Sequence, residues 1–106
     1  MKLARNDPAR PAKGWYTDLT HPVLPFIGFA NQGIHERHVH RELCEVYLVA
    51  RGSSTIVVDN QPITLQAGDA IVVEPGEVHT FIENTPDYFH FVLHCPPIRG
   101  DKVVVP

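Results

Sequence analysis

Basic residues are in the minority. Nine Lys and Arg stand against twelve Asp and Glu, a formal net charge of -3, so a nucleic-acid surface lacks electrostatic support. Long apolar runs are also missing, and none approaches the roughly 20 residues of a membrane-spanning helix. The N-terminal stretch MKLARNDPARPAKGW interrupts its apolar residues with charges and prolines, where a secretory leader needs an apolar segment of about 7 to 15 residues. A soluble, cytoplasmic protein with neither nucleic-acid nor membrane partners is the expectation. Cysteine is scarce: Cys44 and Cys95 are the only two, too few for a disulfide framework, and both are expected to be reduced. No segment of useful length repeats its apolar residues with a helical period.

What the chain of 106 residues does contain is strand signal. By size it is one domain, small enough that contacts from a partner chain are plausible. Residues 1–14, with Pro8, Pro11 and Gly14, lack periodicity and read as an extended N-terminal arm; residues 15–106 read as a single β-barrel domain. Trp15 to Leu19 favours a short first strand. Phe26 to Ala30, the segment around His38 and His40, Leu43 to Arg51, Thr55 to Val58, Ile63 to Leu65, Ala70 to Val73, Val78 to Ile82, Tyr88 to His94 and Val103 to Val105 follow, separated by Gly, Pro, Asn and Asp turns. Eight to ten short strands so spaced predict an all-β sandwich or barrel.

The stretch from Gly33 to Gly52, GIHERHVHRELCEVYLVARG, carries the chemistry. His38 and His40 are two apart, so on a strand both project from one face, roughly 6 to 7 Å apart. Glu45 heads an apolar run that is expected to be buried on both faces. A buried carboxylate costs several kcal/mol unless it is paired or binds a cation, and no Lys or Arg lies inside the run. His79, after the Pro75-Gly76 turn, completes a candidate set of three histidines and one glutamate. Imidazole and carboxylate together suit a divalent transition metal (Fe, Mn, Ni, Cu or Zn) rather than Ca or Mg.

The arrangement His38-x-His40-x4-Glu45-x6-Gly52, followed by Gly68-x6-Pro75-Gly76-x2-His79 and Asn84, resembles the paired motifs of the cupin family. Gly33 stands one residue closer to His38 than the usual spacing, and Pro75 one place later than the usual proline. The resemblance implies a double-stranded β-helix or jelly-roll barrel and a metal held by His38, His40, Glu45 and His79. It also implies a homodimer, for which the apolar outer row Cys44, Val46, Leu48 and Ala50 gives independent reason. Tyr47 and Phe81 each follow a ligand by two residues and are expected in the same cavity, with Phe26 and Phe91 adding aromatic walls. Tyr47 is the candidate general acid or hydrogen-bond donor. His90 and His94 share a face with Tyr88 and Val92; with Phe89, Phe91 and Leu93 assigned to the core, both histidines are expected at the surface or in an interface. No Lys or Arg cluster is expected to point inward, which counts against a sugar-phosphate isomerase. Two functions are open: a mononuclear non-haem metal enzyme, dioxygenase-like, acting on a small organic molecule, with isomerase and decarboxylase chemistry behind it; or a non-catalytic binding or sensor domain in which the metal is structural or holds a ligand.

Overall fold

Short β-branched and aromatic runs alternating with tight turns leave the chain little choice but antiparallel pairing, and in the computed structural model, which describes residues 1–106, ten strands form. In chain order they are β1 (Lys13–Trp15), β2 (Phe26–Ala30), β3 (His38–His40), β4 (Cys44–Arg51) and β5 (Ser53–Val58), then β6 (Gln61–Gln66), β7 (Ala70–Val73), β8 (His79–Asn84), β9 (Phe89–Cys95) and β10 (Lys102–Val104). They build two five-stranded sheets in the orders β1-β2-β9-β4-β7 and β10-β3-β8-β5-β6. All pairings are antiparallel. The architecture is the all-β double-sheet jelly roll.

Turn chemistry fixes the register. Asp59 and Asn60 both take positive φ, 46° and 69°, which gives the β5–β6 hairpin a two-residue turn whose twist matches its strands. The Asp59 carboxylate also accepts from the Val78 N–H at 2.9 Å. Pro62 is tolerated because β6 is an edge strand. Gly33 must lack a side chain: a Cβ there would overlap the ring of Phe81.

Between the sheets, Tyr47, Val49, Ile56, Leu65, Val73, Phe81, Tyr88 and Val92 form the core. This corrects two expectations. The first strand begins at Lys13, inside the proline-containing arm, and ends at Trp15; Thr17–Leu19 is a single 3-10 turn. On β9 it is the face bearing Tyr88, His90 and Val92 that turns inward, these three being 1%, 2% and 9% exposed, while Phe91 is 36% exposed. Phe89 is buried from the opposite side, against Phe29 and beneath the guanidinium groups of Arg10 and Arg51. Hydrophobicity alone points the aromatic face inward; the N-terminal segment covers part of it, which a strand pattern does not reveal.

Candidate metal centre

The two sheets bring opposite contributions to one point. β3 and β8 are neighbours, with His38 directly opposite His79. The period-2 alternation of β3 puts His40 on the same face as His38, and all three imidazoles turn inward. β4, in the facing sheet, supplies Glu45. His38, His40, Glu45 and His79 are all buried, and their donor atoms lie within 4.8 Å of one another. One carboxylate oxygen, Glu45 Oε1, sits 3.5 Å from His38 Nε2, 3.0 Å from His40 Nε2 and 2.7 Å from His79 Nε2. Metal bonds of about 2.0 to 2.2 Å place neighbouring donors about 3 to 3.5 Å apart, so the spacing suits a single ion with only small outward shifts.

The ring orientations carry further information. His38 Nδ1 lies 2.8 Å from the Glu36 carbonyl and His79 Nδ1 lies 3.1 Å from the Glu77 carbonyl. A carbonyl only accepts, so Nδ1 carries the proton on both rings and Nε2 of the neutral ring presents a lone pair to the centre. This is the tautomer that metal-binding histidines hold through their second nitrogen. Two lone pairs, Nε2 and a carboxylate oxygen, do not attract each other. Their approach requires extra protons on the imidazoles or a cation between them.

Electrostatics agree. Burial alone raises the pKa of Glu45, but hydrogen bonds donated by His38, His40, His79 and His94 when these rings carry the extra proton reverse this and hold the carboxyl far below its ordinary range. It stays ionised. His40 Nδ1 is the one buried side-chain polar atom without a hydrogen-bond partner, and Asp101 Oδ2 lies 3.9 Å from it. Asp101 is itself fixed, accepting from the Glu42 and Leu43 N–H groups at 3.0 and 3.1 Å. These backbone bonds lower its pKa against a smaller opposing effect of burial.

A cavity of about 330 Å³ opens onto this cluster, lined by His38, His40, Glu45, Tyr47, His90 and His94 at its floor and by Ala30, Val92 and Trp15 on its walls. Tyr47 borders the centre, its hydroxyl 3.5 Å from His79 Nε2. Burial first, and the charge of Glu45 next, push its phenol well above the ordinary value, so it is a donor and not an anion. Phe81 is 1% exposed and packs edge-on behind Tyr47, with ring centroids 5.1 Å apart; it backs the cavity without lining it. Phe26 and Phe91 lie elsewhere. Phe26 belongs to a smaller hollow with Tyr16 and Ile27, and Phe91 stands on the outer face beside its strand partner Phe29, so Trp15 takes the place foreseen for these two.

His94 is the residue that sequence reasoning missed. It pairs directly with Glu45 across β4 and β9, and its Nε2 lies 2.9 Å from Glu45 Oε2, the oxygen that the other three histidines leave free. His90 also turns inward: its Nδ1 and the Tyr88 hydroxyl share a hydrogen bond of 2.6 Å, and burial pushes its pKa down to about 4. The available signal was the shared parity of His90 and His94 with Tyr88, a row of polar residues able to face a polar cavity. His35, by contrast, is exposed.

Comparisons with known proteins agree with this geometry. The sequence profile described as the cupin domain matches residues 26–95. A Streptomyces PAC13 variant solved with uridine superposes with a TM-score of 0.73 at 13% identity, over 100% of this chain and 84% of that one; PAC13 is described as a nucleoside dehydratase. A Klebsiella pneumoniae protein with a double-stranded β-helix domain superposes at 0.70 and 18% identity, covering 96% and 90% of the two chains. Among curated proteins, the transcriptional activator RhaR of Cronobacter sakazakii is 28% identical over 65 residues, 61% of this chain. The chain spans only 23% of that relative's length.

Proposed function

We propose that this chain, which belongs to the cupin family, is a mononuclear non-haem metal enzyme acting on a small organic molecule, with dioxygenase chemistry the first expectation. The observation that carries this reading is the convergence of three imidazole Nε2 atoms on one oxygen of a buried, ionised carboxylate at the floor of an open cavity. His38, His40, Glu45 and His79 would hold the ion. When bound, a divalent transition metal supplies Lewis-acid or redox chemistry at the coordination positions the protein leaves open. The chain's own residues do the rest. His94 fixes Glu45 by its second oxygen, and the protonated Tyr47 hydroxyl stands ready to donate a hydrogen bond to a bound molecule.

The test is elemental analysis of freshly purified wild type beside His40→Ala. Wild type is expected to carry close to one equivalent of a transition metal and the variant much less; equal loads would overturn the assignment. Oxygen uptake by the ferrous-loaded protein with a panel of thiols, catechols and diketones then tests the reaction class, and no uptake with any of them would count against a dioxygenase.

A second reading, a sensor domain that binds its ligand at the metal without turnover, is favoured by the 65-residue match to a transcriptional activator. Ligand binding without any product would support it.

A further inference from the structure

The mouth of the cavity carries charge that the metal cluster does not use. β1 and β10 each form one edge of a sheet, and each sends a lysine to the cavity rim, Lys13 from the first and Lys102 from the second. Their positions differ in one respect. Lys102 Nζ is already paired with Glu36 Oε1 at 2.6 Å, on the surface, whereas Lys13 takes part in none of the ion pairs of the chain. Lys13 also contributes, as the weakest of several influences, to holding the Glu36 carboxyl below its ordinary value, so the three charges share one neighbourhood. Two ammonium groups against one carboxylate leave the rim net positive on a chain whose net charge is -3. Such a local reversal of sign draws anions toward the opening.

The walls below the rim are of a different character. Trp15, Ala30, Ile34 and Val92 line the middle of the cavity, and the hydrogen-bonding groups are gathered at the floor. A matching occupant is anionic at its outer end and flat and apolar in its middle. The volume of about 330 Å³ lies at the small end of ligand sites, roughly 300 to 1,000 Å³, so the occupant is limited to about the size of a single ring with short substituents. A phosphate dianion fits less well, because it brings two charges to a rim where Lys102 is already paired with Glu36 and only Lys13 is unpaired, and no arginine lines this cavity to match the second.

We propose that the ligand is a small monoanionic carboxylic acid, its carboxylate held at the rim by Lys13 and its planar apolar body lying along Trp15, Ala30 and Val92, with the other end directed to the metal-binding floor. The proposal rests on the reading of the cavity as a small-molecule site above. It adds a substrate class and a specificity-determining residue to that reading.

Trp15 is the only tryptophan in the chain and lines the cavity, so its fluorescence reports occupancy directly. Benzoate and its neutral isostere benzamide are titrated into wild type and Lys13→Gln, each metal-loaded and after chelator treatment. Wild type is expected to bind benzoate severalfold more tightly than benzamide in both metal states, up to about fivefold, the size of one partly exposed ion pair, with the preference shrinking as salt is raised. In Lys13→Gln the ratio is expected to fall toward one while metal content is unchanged. A preference that survives the substitution, an absence of preference in wild type, or no response of Trp15 to either compound would overturn the proposal. A preference seen only in metal-loaded protein and indifferent to Lys13 would place the carboxylate on the metal, sinking this inference and sparing the metal site. A Lys13-dependent preference in a protein that takes up no metal would do the reverse.

Discussion

A buried histidine nitrogen without a partner is unusual, because leaving a buried polar group unpaired costs on the order of 1 to 3 kcal/mol. His40 Nδ1 is such an atom, and the Asp101 carboxylate 3.9 Å away is close enough to pair with it after a small movement of the ring. Drawing His40 Nε2 onto an ion supplies a reason for that movement, and carboxylate partners of this kind typically contribute tenfold or more to metal affinity. Asp101→Asn is therefore expected to weaken metal binding by roughly tenfold in a chelator competition. The fold should be retained, since an amide oxygen can still accept from the Glu42 and Leu43 N–H groups. Unchanged affinity would show that His40 needs no such partner. His90 offers a separate test. Burial lowers its pKa to about 4 from an ordinary 6.5, so between these values the unfolded chain binds a proton that the folded chain refuses. Stability is then undiminished above pH 6.5 and is lost as pH falls toward 4, by up to about 3 kcal/mol from this one group. Denaturant unfolding of metal-stripped wild type and His90→Gln at pH 7.5 and pH 4.5 should show a smaller acid loss in the variant. Equal losses would mean that His90 is protonated in the fold.

At the scale of strands, local signals and long-range ones were unequally legible. The turn at Asp59-Asn60, the extended run from Cys44 to Arg51 and the return through Ala70 to Val73 follow from residue types within a few positions of each other, and the sequence displays them. The inward set on β3, β4 and β8 was also readable, because His38 and His40 share strand parity and a carboxylate inside an apolar run demands company. β9 was not readable in the same way. Both of its faces carry large residues, and which face points inward depends on cover from Tyr16 and Phe29 and from Arg10, groups at least 60 positions earlier in the chain. Hydrophobicity therefore assigned Phe91 to the cavity and His94 to the surface, the opposite of what register imposes once Glu45 lies across from His94. The proline-bearing arm misled in a related way. Its prolines precede β1, and Lys13 to Trp15 can pair along Gly28 to Ala30 because β1 is an edge strand that needs only one partner.

At the scale of the whole molecule, the outer face of the β7-β4-β9 region raises a problem that a single copy leaves open. Leu48, Val72 and Phe91 are 38%, 54% and 36% exposed. They are close neighbours: Leu48 is paired with Phe91 on one side and with Ala70 on the other, and Val46 is paired with Val72. Three large apolar side chains side by side on adjacent strands form a continuous patch, unlike the scattered exposed Leu or Val of an ordinary surface. A second copy of the chain is the occupant we propose, since a two-fold axis through the patch would bury the same residues from both sides. A charge at its centre should prevent that burial while leaving the interior untouched, because Leu48 points away from the cavity. Leu48→Asp is thus expected to halve the mass seen by light scattering after size exclusion, with metal content near that of wild type. A wild-type protein that already elutes at the mass of one chain would reject the dimer. A variant that still elutes at twice that mass would move the interface to another face.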